Sequence, residues 1–143
     1  MRTLEQWLSD YAVSHQNPTN KKVHNICVPV IFFVLIALVW EISPFLMFVA
    51  GAAATWFYFS LSPQLGLAGA AAILACALVQ AAVGFSVFFL ILLFVAAWVG
   101  QFYGHKVEGK KPSFLDDLQF LLIGPIWVAE PWLRRQGILG KAA

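Results

Sequence analysis

The sequence predicts an all-α integral membrane bundle of four transmembrane helices, with an N-terminal amphipathic helix before it and a C-terminal interfacial or re-entrant segment after it. Three observations carry this reading. Hydrophobic residues make up 61% of the 143 residues and charged ones 11%, with a mean hydropathy of +0.79; soluble domains carry about a quarter charged residues. So little polar side chain cannot cover a soluble fold, and lipid must solvate most of the surface. Next, the stretch between His24 and His105 holds a single formal charge, Glu41. Finally, all nine basic residues flank that stretch, with Arg2, Lys21 and Lys22 before it and Lys106, Lys110, Lys111, Arg134, Arg135 and Lys141 after it. The positive-inside rule then places both termini in the cytoplasm, in agreement with an even number of spans.

Residues 1–143 read as one membrane domain, divided into an N-terminal part (1–24), four spans (25–104) and a C-terminal part (105–143). Residues 3–16 carry Leu4, Trp7, Leu8, Tyr11 and Ala12 at the spacing of an amphipathic helix. Asn17-Pro18 breaks it, and Thr19 or Asn20 is positioned to cap a new helix. The first span covers about Ile26 to Trp40, and Glu41 to Pro44 forms a reversal. The second runs from Pro44 to Leu61, and Ser62-Pro63-Gln64 makes the next turn. The third, Leu65 to Ala82, is rich in Gly and Ala, which suggests close packing and a central place in the bundle. The fourth, Gly84 to Tyr103, is separated from it by length alone. After a polar stretch, Phe120 to Val128 is too short to cross a bilayer and is interrupted by Gly124-Pro125. That piece reads as an interfacial segment or a lid. Asp116 and Asp117 are expected to start the last helix, and Trp40, Trp56, Tyr103 and Trp127 to form aromatic belts.

The chain has three histidines, His15, His24 and His105, and this topology returns all of them to the cytoplasmic face. His15 and His24 are nine positions apart, about half a turn out of phase on one continuous helix, so the break at Asn17-Pro18 is what lets both point inward. Three neutral imidazoles suit a mononuclear Fe(II) site for oxygen chemistry or a Zn(II) site for hydrolysis, the latter with Glu108 as base. Asn17, Asn20, Glu108, Gln119 and Glu130 are candidates to orient the imidazoles or to add a ligand, and Lys21, Lys22 and Lys110 to attract an anionic substrate. Three histidines are too few for a dinuclear membrane desaturase. No phosphate-binding glycine loop and no nucleophile elbow is present. The net charge of +2, with no basic stretch interleaved with aromatics, argues against nucleic acid. Cys27 and Cys76 read as small buried hydrophobes, and the N-terminus does not read as a cleaved signal peptide.

Two stretches together resemble a known family. One is Tyr11-Ala-Val-Ser-His15-Gln-Asn17-Pro18-Thr-Asn20-Lys-Lys-Val-His24-Asn-Ile-Cys-Val-Pro29. The other is Gly104-His105-Lys-Val-Glu108-Gly-Lys-Lys-Pro112, continuing through Gln119 and Gly124-Pro125 to Glu130. They are similar to the membrane Fe(II)-dependent 2-hydroxy-fatty-acid dioxygenases, whose eukaryotic members act in fatty acid α-oxidation during phytosphingosine breakdown. The resemblance implies that His15, His24 and His105 are the catalytic and metal-binding residues. It also implies that the cofactor is Fe(II), and that a 2-hydroxy fatty acid and O₂ are the substrates. The chain departs from the pattern at Cys27, where glycine is expected, and at Gly109-Lys-Lys, where more charge is usual. A non-enzymatic small membrane protein is a further alternative. Small-residue faces on the second and third spans would permit a homodimer. The short loops favour a bacterial inner membrane, with the endoplasmic reticulum as the eukaryotic counterpart.

Overall fold

The computed structural model describes residues 1–109 and 120–140. Six helices and no strand occur among the described residues: α1 (Leu4–Ala12), α2 (Pro18–Ile42), α3 (Pro44–Leu61), α4 (Pro63–Val83), α5 (Val87–Glu108) and α6 (Ile123–Arg135). Helices α2 to α5 are each long and apolar enough to cross a membrane. Their outward side chains agree with that, since Phe45, Phe48, Trp56, Leu67, Phe88 and Val99 are all more than three-fifths exposed. In water such surface would be a liability; in lipid it is ordinary.

The short connections follow from local chemistry. A helix N-terminus in a bilayer cannot leave its first N–H groups bare, because lipid offers no acceptor. Ser43 accepts from the Leu46 N–H at 3.2 Å and Ser62 from the Leu65 N–H at 3.1 Å, each followed by a proline at the first helical position. Ser86 does the same for Phe89 at 3.2 Å. Helix α4 stops at Gly84, which takes φ +68°. Helix α1 opens with a reciprocal capping box between Thr3 and Gln6.

The structure departs from the sequence-based reading in the following respects. Helix α2 begins at Pro18, and its cap is Asn17, whose Oδ1 accepts from the Thr19 N–H at 2.9 Å and the Asn20 N–H at 3.4 Å; neither Thr19 nor Asn20 is the cap. Gly124-Pro125 does not interrupt the last segment but lies in the first turn of α6, where proline sacrifices no bond, and the helix runs through Pro131 to Arg135. Helix α4 is not a central helix, since Leu67, Leu74 and Leu78 are exposed. Its small residues serve one close contact, with α3. The expected helix start at Asp116-Asp117 lies outside the described residues.

The chain forms two compact units. The first comprises Met1–Phe32 and Leu93–Glu130, and the second Phe33–Leu92 and Pro131–Ala143. Leu8, Tyr11, Val28, Ile31, Ala97, Ile123 and Ile126 fill the first. In the second, the buried Gln80 amide donates to Glu41 Oε1 at 2.7 Å and to the Phe85 carbonyl at 2.9 Å. Glu41, exposed in the last turn of α2, thereby has an amide donor.

Candidate metal centre

All three histidines belong to the first unit and are buried, His15 and His105 to 4% exposure and His24 to 1%. They reach one point from three places: His15 just past the end of α1, His24 in the second turn of α2, and His105 near the end of α5. Ring centroids are 4.3 Å apart for His15 and His24, 5.1 Å for His24 and His105, and 5.7 Å for His15 and His105. One ring nitrogen from each lies within 4.8 Å of the other two. The centre of such a triangle is at most about 2.8 Å from any corner, so shifts of about 0.7 Å would bring each nitrogen to a usual metal–nitrogen length of about 2.1 Å. The residues fit a mononuclear metal.

Two of the rings are oriented by the same device. Nδ1 of His15 lies 2.6 Å from the Tyr11 carbonyl and Nδ1 of His24 lies 3.0 Å from the Asn20 carbonyl, each four residues back. A carbonyl only accepts, so Nδ1 carries the proton and Nε2 holds the ligating lone pair. The Tyr11 carbonyl is open to this ring because α1 ends at Ala12: the His15 N–H turns to the Ala12 carbonyl at 3.0 Å, and the Tyr11 carbonyl takes a long bond from the Ser14 N–H, at 3.4 Å. Aromatic faces wall the site. Tyr11 stacks on His15 with centroids 4.2 Å apart, and Trp127 of α6 lies 5.2 Å from both rings. Phe120 meets Tyr11 edge-on at 5.4 Å. Trp127 thus forms part of the site wall, whereas Trp56 and Tyr103 face outward.

Helices α2 and α5 can bring His24 and His105 together because α5 is bare where they meet. A Cβ on Gly104 would overlap Oδ1 of Asn20 and stand 3.4 Å from Cε1 of His24, and one on Gly100 would lie 2.7 Å from Sγ of Cys27. The two glycines, four apart, make a small-xxx-small face that the histidine spacing depends on. It also explains Cys27: the close approach is provided from the α5 side, which leaves room for a thiol on α2.

Glu108 does not supply a ligand atom to the cluster. Its Oε1 accepts from the Gln16 N–H at 2.9 Å, and its Oε2 from the Asn17 N–H at 2.7 Å and from Nδ2 of Asn20 at 3.3 Å. It lies in the polar turn beyond the apolar stretch of α5, which ends at Tyr103. Asn20 is fully buried, and its Nδ2 also donates to the Ser14 carbonyl at 3.0 Å. Lys21 and Lys22 are exposed near the start of α2, and Glu130 is partly exposed on α6. Gln119 and Lys110 lie outside the described residues. Tyr11, Trp127, Gly100 and Gly104 escape a search for polar groups. The Tyr11/His15 spacing of four and the Gly100/Gly104 spacing of four are the signals that point to them.

Residues 1–136 match the family described as 2-hydroxy-palmitic acid dioxygenase Mpo1-like. The chain is 28% identical over 146 residues to the 2-hydroxy-palmitic acid dioxygenase MPO1 of Saccharomyces cerevisiae (strain ATCC 204508 / S288c), covering 96% of this chain and 84% of the relative. No solved structure matches it. With the family match running across the four spans and all three histidines, the chain belongs to the Mpo1-like 2-hydroxy-palmitic acid dioxygenase family.

Proposed function

We propose that this protein is an Fe(II)- and O₂-dependent dioxygenase that shortens 2-hydroxy fatty acids by one carbon, with His15, His24 and His105 holding the iron at the cytoplasmic membrane face. The observation that carries the proposal is the convergence of three buried histidines within 4.8 Å in a chain of this family. The iron would supply the redox chemistry that lets O₂ react with a closed-shell acid. The protein's own residues hold its ligands in place and keep water away. The Tyr11 and Asn20 carbonyls fix two imidazoles, and Tyr11 and Trp127 shield His15.

The stoichiometry closes without a second reductant. A 2-hydroxy acid and one O₂ give the acid one carbon shorter, CO₂ and water. Breaking the C1–C2 bond takes C2 from alcohol to carboxyl level and C1 to CO₂, and those four electrons reduce O₂ fully. The 2-hydroxyl is indispensable because C2 of a simple fatty acid is two electrons more reduced, so the same cleavage would release six electrons, two more than one O₂ accepts. A zinc hydrolase reading is less favoured, since Glu108, its candidate base, contributes no atom to the histidine cluster.

The test is O₂ uptake by the purified, Fe(II)-loaded protein. With 2-hydroxypalmitate, one O₂ consumed per pentadecanoate formed is expected, with none consumed with palmitate. Turnover under strict anaerobiosis would contradict the proposal.

A further inference from the structure

We infer that Glu108 is a positioning residue: its carboxylate latches the His15 turn and the start of α2 to the end of α5, setting the spacing of the three histidines without binding the metal. One carboxylate touches the surroundings of all three ligands. Gln16, whose N–H meets Oε1, directly follows His15. Asn20, whose amide meets Oε2, presents its own carbonyl to His24 Nδ1. Glu108 itself stands three residues past His105 on α5. The first unit needs such a tie, because residues 13–17 between α1 and α2 form no helix.

The arrangement is a capping box closed from another helix. In the ordinary motif the third helical residue is a Glu or Gln whose side chain reaches back to the cap N–H, as Gln6 does for Thr3 in α1. In α2 the cap is Asn17 and the third residue is Asn20, whose amide donates rather than accepts. The missing acceptor for the Asn17 N–H comes from Glu108, 91 residues away in sequence. A local glutamate would cap α2 equally well; only one on α5 also fixes α2 against the helix that carries His105.

The metal part of this inference rests on the proposed function, so its test reads the latch itself as well. In Glu108→Gln, one acceptor oxygen becomes an N–H₂ facing N–H donors. Amide exchange at Gln16 and Asn17 should accelerate at least tenfold over wild type. Metal affinity, measured by chelator competition with Co(II), should fall about 10- to 100-fold. X-ray absorption of the Co(II) forms should count three imidazoles in both proteins. Glu108→Asp, which keeps both oxygens and the charge, should lie between wild type and Glu108→Gln in exchange and affinity, and it decides the matter if the Gln variant does not fold. Unchanged amide protection, loss of an oxygen ligand from the wild-type coordination sphere on substitution, or an Asp variant no better than Gln overturns the latch. A wild-type protein that binds no metal overturns the proposed function instead, and amide protection then still judges the latch.

Discussion

The glycine face of α5 makes the sharpest prediction. In Gly104→Ala the new methyl overlaps Oδ1 of Asn20 and stands 3.4 Å from the His24 ring. Asn20 can yield only by giving up its Nδ2 bonds to the Ser14 carbonyl and to the Glu108 carboxylate, at 3.0 and 3.3 Å. A neutral bond contributes about 1 kcal/mol and one to a charged group about 1.5–3 kcal/mol, so that route costs about 2.5–4 kcal/mol. The other route is for α2 and α5 to part, at the usual overpacking cost of about 1–3 kcal/mol. The cheaper route prevails, so a loss of about 1–3 kcal/mol is expected, with the His24–His105 spacing widened and metal affinity reduced at least tenfold. Equilibrium unfolding in detergent measures the first and chelator competition the second. Asn20→Ala removes the oxygen that the methyl strikes, so adding Gly104→Ala to it should cost little, giving a coupling of about 1–2 kcal/mol in the double-mutant cycle. A Gly104→Ala protein within about 0.5 kcal/mol of wild type and fully metal-loaded, or single costs that simply add, would refute the reasoning.

Two further outcomes follow from the same structure. A fatty acid already dissolved in the bilayer gains little of the roughly 0.8 kcal/mol per methylene that burial from water would give; in proteoliposomes, kcat/KM should therefore vary less than about tenfold between 2-hydroxy acids of 14 and 18 carbons, and a steep rise with length would contradict recognition through the head group. In the second unit, Gln80→Leu strands the Phe85 carbonyl and leaves Glu41 without its buried donor, so a loss of about 2–3 kcal/mol is expected with metal content unchanged; a Tm equal to wild type would show those bonds to be unimportant.

The spans were legible because each rests on a local rule: Ser43-Pro44 and Ser62-Pro63 announce their own caps, and hydropathy supplies the lengths. The histidine cluster was legible because three rare residues sit at one end of an even-span topology. What escaped depends on partners distant in sequence. Asn17 and Glu108 look like ordinary polar residues until α5 lies beside the start of α2, and the contact of Trp127 with His15 shows only once α6 is in place. Gly100 and Gly104 stand in a helix whose apolar pattern says lipid on every side, and only the facing Cys27 and Asn20 give them meaning. Gly124-Pro125 carries both a break signal and a start signal, and packing of the buried Ile123 and Ile126 selects the start.

The most direct test of the central claim is iron content per chain after anaerobic Fe(II) loading, for wild type, His24→Ala and His105→Ala, with helical content followed in parallel. One iron per wild-type chain and almost none in either variant, all three equally helical, is the predicted result. Variants that retain the iron, or a wild-type protein that takes up none, would contradict a three-histidine iron centre.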